Sequence, residues 1–255
     1  VPDDLLDETK YFPAQLTEEQ LPKDRWIKAV EFRPGSSAVH HIIARPFGGI
    51  APGNVPNVYP DGYAELVQAG QSYIWNMHYH KEPGPGTGMW DQSSLAVKFY
   101  PEGYVPDHVY TTVSCGPMDF VIPPGAKDYS ASKSFVFPKD ALIARMMPHM
   151  HLRGTKVFYY LEYPDGSTET LLNVPNYDFN WQTVYRFKEP KPVPAGTKVT
   201  VTGWWDNSAD NPHNPDPSRT ITWGEATHEE MLFGWITYTN VDEDASVRMS
   251  ANTGD

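Results

Sequence analysis

The chain has 255 residues, and its 20 Lys and Arg against 32 Asp and Glu give a formal net charge of −12 at pH 7. A nucleic-acid partner is not expected, because phosphate recognition depends on basic patches. Cys115 is the single cysteine, so an internal disulfide and a multi-cysteine metal site are excluded. No apolar run approaches the ~20 residues that a membrane-spanning helix needs, so no membrane span is predicted.

The 19 Gly and 25 Pro residues favour short strands and turns over long helices. Residues 1–24 are acidic and contain Pro, and they are predicted to form a lead-in segment with one helical turn at residues 17–20. Short β-rich runs begin at Arg25. The predicted strands of the first half are residues 26–32, 39–43, 73–80, 95–100 and 109–113.

The second half shows the same pattern of short β-rich runs, which begins after the VIPPG break at residues 121–125. Its predicted strands are residues 142–147, 155–163, 197–205 and 232–239, and the Asp165-Gly166 pair predicts a hairpin. Many short strands at this spacing are typical of β-sandwiches. The sequence therefore predicts an all-β chain of two antiparallel β-sandwich domains, residues 25–123 and residues 124–255, after the lead-in segment 1–24.

His149 and His151 form the first candidate metal site. On a strand, residues i and i+2 point to the same face, so both imidazoles can reach one metal ion. A thioether as third ligand favours copper, especially Cu(I). The spacing leaves the methionine open, and the candidates are Met146, Met147, Met150, Met89, Met118 and Met231.

His40 and His41 form the second candidate site, with a different geometric requirement. Adjacent residues on a regular strand face apart, so the two imidazoles can share a metal only if the backbone twists or bulges there. A third imidazole has to come from elsewhere, and His78 and His80 are the obvious donors. Both lie on one face of their predicted strand, so spacing alone does not choose between them.

Five short motifs occur in an order that matches a known family. They are VHHII at residues 39–43, MHY at 77–79, VIPPG at 121–125, HMHLRG at 149–154 and EEM at 229–231. Together they span roughly residues 25–240. The chain resembles the copper type II, ascorbate-dependent monooxygenases, the group that contains peptidylglycine α-hydroxylating monooxygenase and dopamine β-hydroxylase, and it resembles a bacterial member of that group.

The resemblance implies two coppers per chain, one in each of two jelly-roll β-sandwiches. It implies that the electron-storing copper is held by His40, His41 and His78, and the oxygen-activating, catalytic copper by His149, His151 and Met231. It prefers His78 over His80 because His78 precedes a tyrosine, as in the family. It prefers Met231 over the methionines near His149.

The activity that the resemblance implies is hydroxylation of a C–H bond in a small organic substrate with O2. The electrons come from ascorbate or another one-electron donor, which a redox partner domain or protein could supply. Copper and such a donor imply a periplasmic or secreted setting. The chain begins at Val1 rather than Met, which indicates a processed or excised product.

The predicted substrate pocket departs from the peptide-hydroxylating pattern. Met147 stands where the peptide enzyme has an arginine, and Phe233 and Trp235 stand where it has an asparagine and a tyrosine. Those polar groups hold a peptide carboxylate, which would have no charge-assisted partner here. We therefore expect an apolar or aromatic substrate rather than a glycine-extended peptide, although Arg145 or Arg153 could still reach the cleft and bind an anion.

Two other classes of function compete with the monooxygenase. One is a non-catalytic copper-binding or carbohydrate-binding β-sandwich, and the other is a mononuclear zinc hydrolase that uses His149 and His151 with a carboxylate. A thioether ligand from Met231 argues against zinc, which takes nitrogen, oxygen and thiolate donors. A failure of His40, His41 and His78 to converge would remove the second electron source.

Overall fold

A computed structural model describes residues 1–45, 47–51 and 56–245, and within these residues the regular elements are nineteen β-strands. The prediction of an all-β chain is confirmed. The chain divides into two compact units, one of residues 1–110 with the segment that starts at Asp242, the other of residues 111–241. The structure describes that returning segment as far as Ala245.

The first unit holds nine strands, β1 (Asp7–Gln15), β2 (Arg25–Arg33), β3 (Val39–Ala44), β4 (Gly49–Ile50), β5 (Asn57–Val58), β6 (Tyr63–Val67), β7 (Ser72–His80), β8 (Ser94–Phe99) and β9 (His108–Val109). One antiparallel sheet has the order β1-β7-β3-β4. The other has the order β5-β2-β6-β9, and β8 also pairs with β2. The β6–β9 pair is parallel.

The second unit holds ten strands, β10 (Thr111–Cys115), β11 (Val121–Ile122), β12 (Tyr129–Val136), β13 (Ala141–Met150), β14 (Gly154–Glu162), β15 (Thr168–Val174), β16 (Tyr185–Val193), β17 (Lys198–Trp205), β18 (Ile221–Thr222) and β19 (Leu232–Asn240). They form antiparallel sheets in the orders β10-β19-β13-β16 and β12-β17-β14-β15, with β11 paired to β18. Both four-stranded sheets contribute to one apolar core, with Ile143 and Ile236 from the first and Tyr159 and Val201 from the second.

The prediction that residues 1–24 form only a lead-in segment is wrong, because this segment contains a strand. Residues 7–15 form β1, which pairs along its whole length with β7. Alternation does not reveal this strand because most of its side chains are exposed or half-buried. The helical turn predicted at residues 17–20 is present as a hydrogen-bonded turn, in which the Leu21 N–H donates to the Thr17 carbonyl.

The domain division also differs from the prediction, which placed the boundary between residues 123 and 124. The observed boundary lies between Tyr110 and Thr111, because β10 pairs with β19 and so belongs to the second unit. Residues 242–245 return to the first unit, where Ala245 packs with Trp26 and Val109.

All nine predicted strand positions are occupied by strands, with one break. The run predicted at residues 109–113 is divided at Tyr110 between β9 and β10. The Asp165-Gly166 hairpin is confirmed, since β14 and β15 are antiparallel neighbours and Gly166 has a φ of 82°. Among the described residues, no helix has the length and apolarity needed to cross a membrane.

Gly116 provides a test of the second unit's packing. A Cβ atom at this position would overlap the carbonyl oxygen of Leu232, the first residue of β19. Because a backbone atom cannot move aside as a flexible side chain can, we expect Gly116→Ala to lower the free energy of unfolding by about 1–3 kcal/mol. Urea denaturation measures this change.

Gly84→Ala is the matched control for that substitution. Its Cβ would meet only the Thr87 methyl group at 3.6 Å, which is ordinary van der Waals contact. We expect a change within about 0.5 kcal/mol. Equal stabilities of the two variants would contradict the packing described for Gly116.

Candidate metal centres

A β-bulge lies at His40 in the first unit. On β3, Val39 is the Cα partner of Tyr79 on β7, while His41 is the partner of His78, so β3 carries one extra residue between these two pairs. The bulge supplies the backbone irregularity that the adjacent histidines require. It turns His40 and His41 toward the same region instead of toward opposite faces of the sheet.

The structure brings His40, His41 and His78 together, with one nitrogen of each ring within 4.8 Å of the others. The ring centroids of His40 and His41 lie 5.1 Å and 4.7 Å from that of His78. His78 is buried, and the other two are half-buried. Within the described parts of the chain, this is the group of three His, Cys, Asp or Glu residues close enough to hold a metal ion.

The distance between His41 and His78 fits metal coordination. Their Nδ1 atoms lie 3.2 Å apart. Two imidazole nitrogens that each bond a metal at about 2.0–2.1 Å and 100° are separated by about 3.2 Å. Two facing lone pairs repel, so this separation needs either a proton or a metal ion between the rings.

Asp7 fixes the orientation of His78 from β1. The Nε2 atom of His78 lies 3.0 Å from Asp7 Oδ1, so Nε2–H donates to the carboxylate and Nδ1 carries the lone pair. His80, the alternative third ligand, lies outside the group. Its side chain is 47% exposed, and its Nδ1 atom lies 3.3 Å from Asp7 Oδ2.

The second candidate centre lies at the end of β13 in the second unit. The regular register pairs Met147 with Trp235 and His149 with Phe233 on β19, so these four side chains share one face. His151 follows the last paired residue of β13, Met150, and Met231 precedes its partner Leu232. His151 and Met231 therefore sit at the same end of this strand pair, and both are buried.

Hydrogen bonds set the tautomers of both histidines. The Gln182 amide donates from Nε2 to the Phe179 carbonyl, which leaves Oε1 as the acceptor for His149 Nδ1–H at 2.6 Å. His151 Nδ1 lies 3.3 Å from the Glu229 carbonyl oxygen. In each neutral ring Nε2 then carries the lone pair, which is the arrangement found in metal-bound histidines with oxygen acceptors behind them.

The segment between β15 and β16 reaches this centre and was not predicted from the sequence. The Tyr177 hydroxyl accepts from the Met150 N–H at 2.9 Å and donates to the Met150 carbonyl at 2.7 Å. This double contact holds the segment at the end of β13. It thereby positions Gln182 behind His149 and Phe179 against the His151 ring.

The other methionines have different positions. Met146 and Met150 are buried in the apolar core of the second unit, and Met118 is 60% exposed. The Met89 sulfur accepts a hydrogen bond from Ser37 in the first unit. Met231 directly precedes Leu232, the β19 partner of Met150, so it lies at the same end of the strand pair as His151.

Two of the predicted pocket residues, Phe233 and Trp235, lie beside His149, and the third, Met147, shares its face of the sheet. Phe233 and Trp235 stack with centroids 5.4 Å apart, and their rings lie 6.5 Å and 5.7 Å from that of His149. Both aromatic rings and Met147 are half-buried. This face offers aromatic and thioether contacts to a ligand.

Glu230 fastens the loop before β19 to the histidine strand. Its carboxylate is fully buried and accepts hydrogen bonds from the N–H groups of His151 and Arg153 and from Trp205 Nε1. Burial raises the pKa of Glu230 to about 8, and the two backbone donors act in the opposite direction. Arg153 is itself fully buried and donates to the Asn207 side chain, so its guanidinium does not face solvent, where a substrate carboxylate could reach it.

No protein-family model matches the sequence, and no curated protein matches it. Among solved structures, it is similar to a predicted secreted protein from Eubacterium rectale, with 11% identity, coverage of 91% of this chain and 69% of that one, and a TM-score of 0.28. It is similar to the VP2 subviral particle of infectious bursal disease virus at 9% identity, 98% and 76% coverage, and a TM-score of 0.27. Such scores establish neither a shared fold nor a shared activity.

Glu230→Gln tests the network of three hydrogen bonds that the buried Glu230 carboxylate accepts from His151, Arg153 and Trp205. The amide NH2 replaces one acceptor oxygen and faces an N–H donor, so at least one buried donor loses its partner. We expect the free energy of unfolding to fall by about 1–3 kcal/mol, measured by urea denaturation.

Glu229→Gln is the matched control. Glu229 is half-buried, and its carboxylate accepts a hydrogen bond from the Ala226 N–H, which an amide oxygen can still accept. We expect its stability to stay within about 0.5 kcal/mol of the unmodified chain. If Glu230→Gln were equally mild, the network would not hold the loop as described.

Proposed function

We propose that this chain is a dicopper monooxygenase that hydroxylates a C–H bond of a small apolar or aromatic substrate. The observation that carries the proposal is the convergence of His40, His41 and His78 at the bulge of β3. In the family that the sequence resembles, a metal site made of imidazoles alone accompanies the His-x-His site. We further propose that each unit is a jelly-roll β-sandwich.

The donor sets fit copper at both centres. His40, His41 and His78 would hold one copper through nitrogen. His149, His151 and Met231 would hold the other through two imidazoles and a thioether, a soft donor that favours Cu(I) over zinc. When bound, copper supplies the one-electron transfers and the dioxygen binding that C–H hydroxylation requires.

The residues around the second centre would orient the substrate. Met147, Phe233 and Trp235 share the face of His149, and none of them carries a charge. Such a face gains free energy by covering an apolar group, at roughly 25 cal/mol per Å² removed from water. Arg145 lies on the same face two residues before Met147, where its Nε–H donates to the Thr237 hydroxyl. Beside Phe233 and Trp235 the face carries no charge, so these two rings favour an uncharged group of the substrate.

The protein would also hold His149 and His151 each in one tautomer. Gln182 and the Glu229 carbonyl keep Nδ1–H of His149 and His151 directed away from the metal. The electrons would come from ascorbate or another one-electron donor, delivered directly or by a redox partner. We propose a periplasmic or secreted setting, where copper and such donors meet.

Met231 provides the sharpest test of the second centre. Copper X-ray absorption of the Cu(I)-loaded chain is expected to show a copper–sulfur shell, which Met231→Leu removes while two coppers per chain remain bound. Met118→Leu is the control, because Met118 is 60% exposed and belongs to neither centre. Retention of the sulfur shell in Met231→Leu would contradict the ligand assignment.

The same variants separate an enzyme from a copper carrier. With ascorbate, O2 and a panel of uncharged aromatic substrates, we expect product from the unmodified chain and at least a tenfold loss in Met231→Leu. Copper binding without product from any substrate in the panel would favour the non-catalytic alternative.

A further inference from the structure

Asp7 lies on the edge strand β1, yet its side chain is largely buried against the histidines of β7. It lies on β1, where it is the Cα partner of His80 on β7, and Thr9 is the partner of His78. Side chains two residues apart on a strand point to the same face, so Asp7, His78 and His80 share one face of the sheet. The carboxylate therefore contacts one histidine across the strands and the other on the diagonal.

The two oxygens of Asp7 are divided between these histidines. Oδ1 lies 3.0 Å from His78 Nε2, and Oδ2 lies 3.3 Å from His80 Nδ1. The side chains of His78 and Asp7 are only 2% and 14% exposed. Water competes weakly for a hydrogen bond in such a place, and a carboxylate acceptor makes the bond stronger than a neutral acceptor would.

The contact decides which nitrogen of His78 is available to a metal. With the proton held on Nε2, the lone pair is on Nδ1, and that atom is the one 3.2 Å from His41 Nδ1. The opposite tautomer would place an N–H where the metal has to bind. A carboxylate behind the ring also raises the basicity of the ligand nitrogen.

We propose that Asp7 is the positioning residue of the His40–His41–His78 centre, which selects Nδ1 of His78 as the metal-binding atom and thereby raises the affinity for copper. The metal named here rests on the proposed function, whereas the choice of tautomer rests on the hydrogen bonds alone. A strand outside the predicted β-sandwich domains thus completes a centre whose ligands come from β3 and β7. His80 orients the carboxylate from the surface and is not a ligand.

The first measurement is the tautomer of His78 by ¹⁵N NMR on the full chain without added metal. We expect His78 to carry its proton on Nε2, and Asp7→Ala to shift that proton toward Nδ1. Glu8→Gln is the matched control on the same strand, since Glu8 is exposed and its neighbour is Lys10. A merely structural role for Asp7 would leave the tautomer unchanged.

The second measurement is Cu(I) affinity by competition with a chromophoric chelator, in full chains that carry His149→Ala and His151→Ala so that only the first centre is counted. We expect Asp7→Ala to weaken binding by about 10–100-fold. Asp7→Asn retains an acceptor oxygen and should lose less. Glu8→Gln and His80→Ala are expected to stay within about threefold, and thermal unfolding shows whether each variant is folded.

The outcomes separate this inference from the proposed function. Unchanged affinity and an unchanged tautomer in folded Asp7→Ala would overturn the role of Asp7 and leave the copper site standing. Absence of copper binding in the parent chain would overturn the proposed function at this centre. The NMR measurement would still decide the role of Asp7 in that case, because it uses no copper.

Discussion

The extra residue at His40 is the constraint on which the first centre depends. On a regular strand, His40 and His41 would face opposite sides of the sheet, and at most one of them could meet His78. The shift in pairing between Val39 and His41 inserts a bulge there and brings three imidazoles within reach of one ion. β-Bulges commonly re-aim side chains next to functional sites.

The second centre instead depends on the regular pairing of β13 with β19 from Arg145 to Met150, which follows a register shift between Ile143 and Arg145. Two-residue periodicity at the end of β13 places Met147 and His149 on one face, across from Trp235 and Phe233 of β19, and His151 is the first residue after the strand. Met231 directly precedes β19, at the end of the strand pair where His151 lies. The carboxylate of buried Glu230 accepts a hydrogen bond from the His151 N–H, so the segment that carries Met231 is joined directly to the segment that carries His151.

Sequence patterns predicted the β-class, nine strand positions and the need for a bulge at His40, because these follow from local periodicity and residue geometry. They did not predict β1, whose side chains are mostly exposed, nor its residue Asp7, whose partner His78 lies 71 residues away. Gln182 was also not predicted, because it lies 33 residues from His149 and no local pattern indicates that the two side chains meet. Spacing could not separate His78 from His80, but strand pairing places His78 opposite His41 and leaves His80 exposed at the surface.

The most direct test of the account is the copper content of the first centre, counted per chain by elemental analysis in the His149→Ala, His151→Ala background. We predict that one copper per chain stays bound after desalting. We predict that this copper is lost when His40, the bulged residue, is replaced by Ala. His213→Ala is the control, because His213 lies in the second unit and outside the described metal group. One copper that persists in His40→Ala, or no copper in the parent chain, would contradict a centre built from three converging imidazoles.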